Sequence, residues 1–344
     1  MRIGCRFFIP NFLVEGFSKM SRETLKWLNE NTLIGFTDKR GKAWHHRAGS
    51  TNHYSGPVPL EEVESRLFAW TAEERPLFTG KKIGIPDFKA IVRSDTGLVM
   101  GVFKQGYQPH QPKQWLLENV STILDDELAI GSAGLLRGGA QAWVSVEVPD
   151  TIQTPEGVKF RPNLIAATSF DGSLSTVYKR IVTNVVCDNT MNAGLREDGQ
   201  QFRVKHSSKS LYRLTDARSA LAIVHSVGDE FGAAVAKLCA QHMVDREFER
   251  LVREQLAPIE TGDSRQAERN ARRKQGELLR LWRQDERVAP WRGTKFGAYQ
   301  AVSTWQQHEA RIRSKNRAAR NMGYTLTGKW EAADDTTLSL LAAV

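Results

Sequence analysis

At 344 residues, 40% hydrophobic and 25% charged, the chain has the makeup of a soluble globular protein with room for a large core. No run approaches the ~18–20 apolar residues needed to cross a bilayer. Three scattered cysteines, Cys5, Cys187 and Cys239, argue against a disulfide framework or a cysteine metal cage and for a reducing, cytoplasmic setting. The formal charge of +9 is concentrated: residues 265–320 hold 15 Lys+Arg against 5 Asp+Glu, a net of +10 that leaves −1 for the rest. A basic excess confined to one block points to an acidic partner, nucleic acid first, with a solvated helix face as the plain alternative.

Residues 1–30 read as an N-terminal extension and a short helix. Phe7-Phe8-Ile9 and Phe12-Leu13-Val14 are too short for a secretory signal, and Ser21 caps a helix carrying Leu25 and Leu28. Residues 31–209 read as the core. Its first part is loop-rich, and His45, His46 and His53 are polar loop histidines, since no cysteine or acid falls at a ligand spacing. Pro59 opens a short helix to Phe68. Residues 88–92 and 98–103 flank Ser94-Asp95-Thr96-Gly97 as a hairpin. Residues 107–112 form an exposed connector before a helix over 113–124. Strands at 128–136 and 142–148 join through Arg137-Gly138-Gly139. Strands at 164–168 and 174–178 flank Asp171-Gly172, where glycine tolerates positive φ and the aspartate bonds its own backbone. Short strand spacing around one helix indicates an α+β fold: an antiparallel sheet of hairpins with one packed helix, followed by long helices.

Residues 210–320 read as a helical, basic region and 321–344 as a tail. Residues 211–256 read as one long helix, or two with a break near Gly228, with Leu214, Ala217, Leu221, Val224, Gly228, Phe231, Val235 and Leu238 at three- and four-residue steps. Ser264 caps a helix whose Arg265, Arg269, Arg272 and Arg273 share a face, and a third helix starts near Thr294. Arg311, Arg313, Lys315, Arg317 and Arg320 are the densest basic run and join those four arginines as a second basic surface.

No Gly-x-x-x-x-Gly-Lys-Ser/Thr, Gly-x-Ser-x-Gly, His-Glu-x-x-His or paired Cys-x-x-Cys occurs, so no ATPase loop, catalytic constellation, cofactor or metal is expected. Cys187 follows Val185-Val186 and reads as a buried structural thiol rather than a nucleophile beside His206. Asp125, Asp126, Glu127 and Asp171 could ligate magnesium, but consecutive acids at a helix end usually face solvent. What remains is binding. Lys104, Tyr107, Arg137, Tyr178, Lys179, Arg180, Asn189, Arg203, Lys205, His206, Lys209 and Arg213 mix cations, aromatics and polar donors around turns and strand ends. Single-stranded nucleic acid is held by such a mixture, with base stacking worth ~1–3 kcal/mol per base. In this reading Lys179, Arg180, Arg203 and Lys205 neutralise phosphates, Tyr107 and Tyr178 stack on bases, and Asn189 and His206 hydrogen-bond.

Seven segments carry a resemblance, in order: Trp70 to Leu77, Ile85 to Gly97, Tyr107-Gln108-Pro109, Leu136-Arg137-Gly138-Gly139, Ser169-Phe170-Asp171-Gly172-Ser173, Val185 to Met191, and Gly293 to Ala298. Over about residues 25–310 they resemble a phage- and plasmid-encoded family, the domain-of-unknown-function 932 group. The resemblance implies a mobile-element origin and transfers no catalytic residues. More remotely, hairpins around one helix followed by long helices are similar to single-strand annealing proteins of the Rad52/RecT type, which assemble into rings or filaments without ATP. The expectation is an ATP-independent, homo-oligomeric DNA-binding protein that favours single strands and promotes annealing. The alternatives are a host-takeover protein with an acidic protein partner and a metal-dependent nucleic-acid-processing enzyme.

Overall fold

The computed structural model describes residues 30–40, 51–124, 128–147, 151–184, 189–191, 201–206, 227–312 and 317–344. The fold is α+β. Its larger sheet is antiparallel throughout: β1 (Thr32–Ile34) pairs with β5 (Ala129–Leu136), then come β6 (Gln141–Glu147), β8 (Lys159–Ser169) and β9 (Thr176–Asn184). The far edge of β9 takes β10 (Asn189–Met191) at one end and β11 (Gln201–Val204) at the other, while β7 (Ile152–Gln153) pairs with β8. A second sheet, β2 (Ala72–Phe78), β3 (Gly84–Arg93) and β4 (Val99–Lys104), stands beside it.

The larger sheet is covered on both sides, which explains why β6 is buried at every position. One face presents Ala142, Val144, Val146, Leu164, Ala166 and Tyr178 to α1 (Leu60–Leu67) and to a helical segment, α2, made of a π-turn Lys113–Glu118 continuing into Asn119–Ser121. The opposite face presents Trp143, Ile165, Ala167, Val177 and Ile181 to Leu326 and Met322 of a C-terminal helix. Further along that layer Phe160 and Val182 meet a helical cluster built on Phe231, Phe248, Trp282 and Phe296. On β5, Gly134 leaves its face open so that the Trp143 ring of the neighbouring strand lies across it.

The cluster comprises α3 (Val227–Cys239), α4 (Asp245–Leu251), α5 (Arg265–Gln284) and α6 (Lys295–Thr304), followed by α7 (Arg317–Thr327) and α8 (Lys329–Ala342). Caps set two of the boundaries as the sequence suggests: Ser264 Oγ accepts from Ala267 N–H at 3.2 Å, and Thr294 Oγ1 from Gly297 N–H at 3.2 Å.

Four expectations are corrected. The one helix, or two broken near Gly228, read over 211–256 breaks instead after Cys239, and Gly228 lies inside α3; residues 211–226 are outside the described set. The helix over 113–124 is the shorter α2. The tail over 321–344 is α7 and α8, tied down by buried Leu326, Trp330 and Leu341. The connector over 107–112 is not exposed. Gln108 alone stays exposed, and the neighbouring side chains turn inward: the Gln111 amide brackets the Ala72 backbone at 2.9 and 3.0 Å, and His110 is buried. The N-terminal segment, His45, His46, Asp125, Asp126, Glu127 and Cys187 lie outside the described residues.

Candidate functional site

The turns expected to carry the site form as the sequence suggests. Asp171 Oδ1 accepts from Ser173 N–H at 2.9 Å while Gly172 takes φ +75°. The β5–β6 turn is tighter: Arg137, Gly138 and Gly139 all lie in the left-handed region, at φ +51°, +73° and +102°. For an arginine that conformation is strained, and such strain clusters where a side chain must be aimed. Arg137 donates to Asp171 Oδ2 at 2.8 Å while its side chain stays largely exposed. Burial alone pushes the Asp171 carboxyl up, but hydrogen bonds from Ser173 and Arg137 outweigh it and hold the group below the usual carboxylate range.

Two expected contacts are sealed. Tyr178 points into the sheet's α1–α2 face; its hydroxyl donates to Trp115 O and accepts from Asn119 Nδ2 at 2.7 Å. It has no face for a base. Its neighbour Lys179 points the other way and is equally buried. Its ammonium donates to Thr325 O at 2.6 Å and ion-pairs with Glu331. Lys179 thus caps the C-terminal end of α7, where carbonyls are unpaired and the helix dipole favours a cation. It locks the C-terminal helices onto the sheet and is not placed to meet a phosphate. Residue spacing could not tell this lysine from a surface one, because β9 is covered on both faces.

Tyr107 and His206 do come together, in an unforeseen way. Phe103, Tyr107, His206, His110 and Trp115 stack as five consecutive, nearly parallel rings with centroid spacings of 3.9, 4.9, 4.0 and 3.8 Å. Tyr107 donates to Ser169 O at 3.1 Å. The Thr176 hydroxyl lies 2.7 Å from His110 Nδ1, and both Thr168 and Thr176 lie 3.3 Å from His206 Nε2. Burial lowers the pKa of His206 to about 4, and burial together with the neighbouring His206 lowers that of His110 to about 2, so both are neutral near pH 7. The column ties β4, the connector, α2 and the segment after β11 together. It is interior structure.

The exposed remainder of the first set is Lys104, Arg137 and Lys205. The side chains of Arg180, Asn189, Arg203, Lys209 and Arg213 lie outside the described residues, as do Arg313 and Lys315. In the second set, Arg265, Arg269 and Arg272 are exposed on α5, and Arg273 is half-buried against Glu277 at 3.4 Å. Arg317 and Arg320 serve structure in part: Arg317 donates to Gln307 O and Ala310 O at 3.2 and 2.7 Å, and Arg320 to Gln306 O at 3.3 Å.

The two sets nevertheless meet. A cleft of about 580 Å³ opens between the β5–β6 turn and α7, lined by Arg137, Gln141, Arg311, Arg320, Tyr324 and Lys329 among others, with four cations and no carboxylate in the lining. The Arg320 guanidinium lies 4.8 Å from the Tyr324 ring centroid and the Lys329 ammonium 4.9 Å, which holds both beside the opening. Gln141 donates to Ser173 Oγ at 2.6 Å. Lys329 and Tyr324 were absent from the sequence-based set. The signal that could have found them is their place after the basic run, Tyr324 one turn beyond Arg320 and Lys329 opening the next helix.

Among the described residues no group of three or more His, Cys, Asp or Glu side chains is placed to hold a metal ion, and no helix is long and apolar enough to cross a membrane. Comparison with curated proteins and with solved structures gives no match. A family model described as Domain of unknown function (DUF932) matches residues 99–324, so it contains five of the seven resembling segments, begins after the two at 70–77 and 85–97, and extends into α7. On that match, covering well over half of the sequence, the chain belongs to the DUF932 family.

Proposed function

We propose that the protein is an ATP-independent DNA-binding protein of a mobile element, acting in the cytoplasm, that holds single strands and promotes their annealing in recombination. The observation that carries this reading is the cleft beside Arg137, where that arginine meets three cations 174 or more residues further along the chain without a carboxylate in the lining. A polyanion is the ligand such a cleft suits, because four cations converge there and, among the described residues, only Arg137 has a carboxylate partner, Asp171, set outside the lining. The strained Arg137 backbone is consistent with a side chain aimed at a ligand. Phosphate contacts belong to Arg137, Arg311, Arg320 and Lys329. Lys179 and Tyr178 have no part in them.

The protein is, in this proposal, a homo-oligomer. Among the described residues β4 has a partner on one side only, and its free edge is apolar from Val99 to Phe103. The other edge of that sheet, β2, is guarded by Glu73, Glu74, Arg75 and Pro76. A second reading, in which basic helices bind an acidic protein, is favoured by Arg265, Arg269 and Arg272, which are exposed on α5 and do not line the cleft.

The test is single-strand affinity against salt. Log affinity should fall with log salt at about −0.7 per neutralised phosphate, so three or four contacts give a slope of about −2 to −3. A flat dependence, or no affinity at low salt, overturns the reading.

A further inference from the structure

Among the described residues, the most exposed large apolar side chains sit at the tip of one hairpin. Phe78 is 60% and Ile83 63% exposed, and every residue from 78 to 88 is exposed, so the ribbon projects away from the body on both faces. The tip is nonetheless well built. Thr79 N–H donates to Ile83 O and Lys82 N–H to Thr79 O, each at 2.8 Å, and Ile83 N–H donates to Thr79 Oγ1 at 3.1 Å. Lys82 takes φ +60°, and a register shift between Pro76 and Leu77 re-aims the last strand residues. The turn Thr79-Gly80-Lys81-Lys82 therefore presents two cations between two apolar side chains on a stiff support.

We propose that this hairpin is a nucleic-acid wedge: Phe78 and Ile83 insert between neighbouring bases of a strand held in the cleft, while Lys81 and Lys82 neutralise the flanking phosphates. This rests on the DNA-binding reading above and adds to it the element that opens the base stack. Charge decides the partner. The acids of β2 are already engaged, Glu73 with Arg75 and Glu74 with Lys89 at 2.7 Å, which leaves the exposed Asp87 of β3 as the one acid of the ribbon set against the lysine pair. A second copy of this chain offers little to a basic tip, because its residues outside the basic block 265–320 sum to only −1. A stacked polyanion offers both phosphates for the lysines and apolar faces for a wedge, the combination used by side chains that unstack base steps. The ribbon's other end meets the β5–β6 turn, where Arg93 donates to Gly138 O at 3.0 Å; the tip lies the length of β3 away, about 30 Å, so a strand must run along the ribbon to reach both.

The test uses full-length protein and an oligonucleotide carrying 2-aminopurine, with anisotropy reporting binding and 2-aminopurine fluorescence reporting unstacking. Wild type should bind and raise the fluorescence. Phe78→Ala/Ile83→Ser should abolish the rise and weaken binding about tenfold. Lys81→Gln/Lys82→Gln should lower the magnitude of the salt slope by about 1.4. Because these side chains are exposed, unchanged thermal unfolding certifies the variants. Binding without a fluorescence rise overturns the wedge and leaves the DNA-binding reading standing; no binding by wild type overturns both. The wedge also falls if Phe78→Ala/Ile83→Ser leaves DNA binding intact but lowers the sedimenting mass, or abolishes binding to phosphatidylserine vesicles.

Discussion

Acidification from pH 7 to pH 5 should cost the protein about 4 kcal/mol of unfolding free energy, roughly 2 from each stacked histidine. His206 and His110 have folded pKa values of about 4 and about 2, against 6.5 for an unperturbed imidazole. Between 6.5 and the folded value the unfolded chain binds more protons, so stability rises with pH. The contribution of the buried neutral rings is complete above pH 6.5 and is lost as the pH falls towards 4. Each histidine then gives a slope of about 1.4 kcal/mol per pH unit. Urea unfolding at half-unit steps from pH 7 to pH 5 should show a mean slope of roughly 2 kcal/mol per pH unit for wild type and about half that for His206→Asn. The same slope in both proteins would mean that His206 is not held neutral by the ring column. The carboxylates held below their usual range, Asp171 and Asp285, add their losses at lower pH.

The second large effect is expected at the lysine that joins β9 to the C-terminal helices. Lys179 is 2% exposed, and Glu331 is its carboxylate partner. Glu331→Gln strands a buried ammonium and should cost about 3–5 kcal/mol. Lys179→Met removes that charge, fills similar space and leaves Glu331 partly in water, so about 1–3 kcal/mol is expected, mainly from the orphaned Thr325 carbonyl. The double variant should be more stable than Glu331→Gln alone, since no buried charge is then left unpaired. A double-mutant cycle by urea denaturation measures this. Additive losses, or a Glu331→Gln cost below that of Lys179→Met, would show that the pair does not anchor the helices.

The hairpins were legible because turn chemistry is local. Asp171-Gly172 and Gly97 stand where positive φ is needed, at +75° and +70° for the two glycines, and Ser264 and Thr294 bond the first turns of their helices. The environment of β9 was not legible. Tyr178 and Lys179 alternate as a half-exposed strand would, and only the near-continuous apolar run of β8 beside them hints that both faces are covered. The ring column escaped notice because Phe103, Tyr107, His110 and Trp115 follow no helical or strand period, and His206 joins them from far along the chain. The apolar ribbon around Phe78 and Ile83 was overlooked because a strand containing Pro76 and three charges reads as a loop. Of the basic residues, sequence identified Arg137, Arg311 and Arg320 but not that they share a cleft, since only tertiary packing of α7 on the sheet brings position 137 to 311 and 320.

The most direct measurement is anisotropy of a labelled single-stranded oligonucleotide at several salt concentrations, with wild type, Arg137→Glu/Arg311→Glu and Arg265→Glu/Arg269→Glu compared. Loss of two phosphate contacts in the cleft should weaken binding by at least tenfold and flatten the log–log slope by about 1.4, while the α5 pair should change both far less. Wild-type affinity and slope in the Arg137→Glu/Arg311→Glu protein would contradict the assignment of this cleft to a nucleic-acid strand.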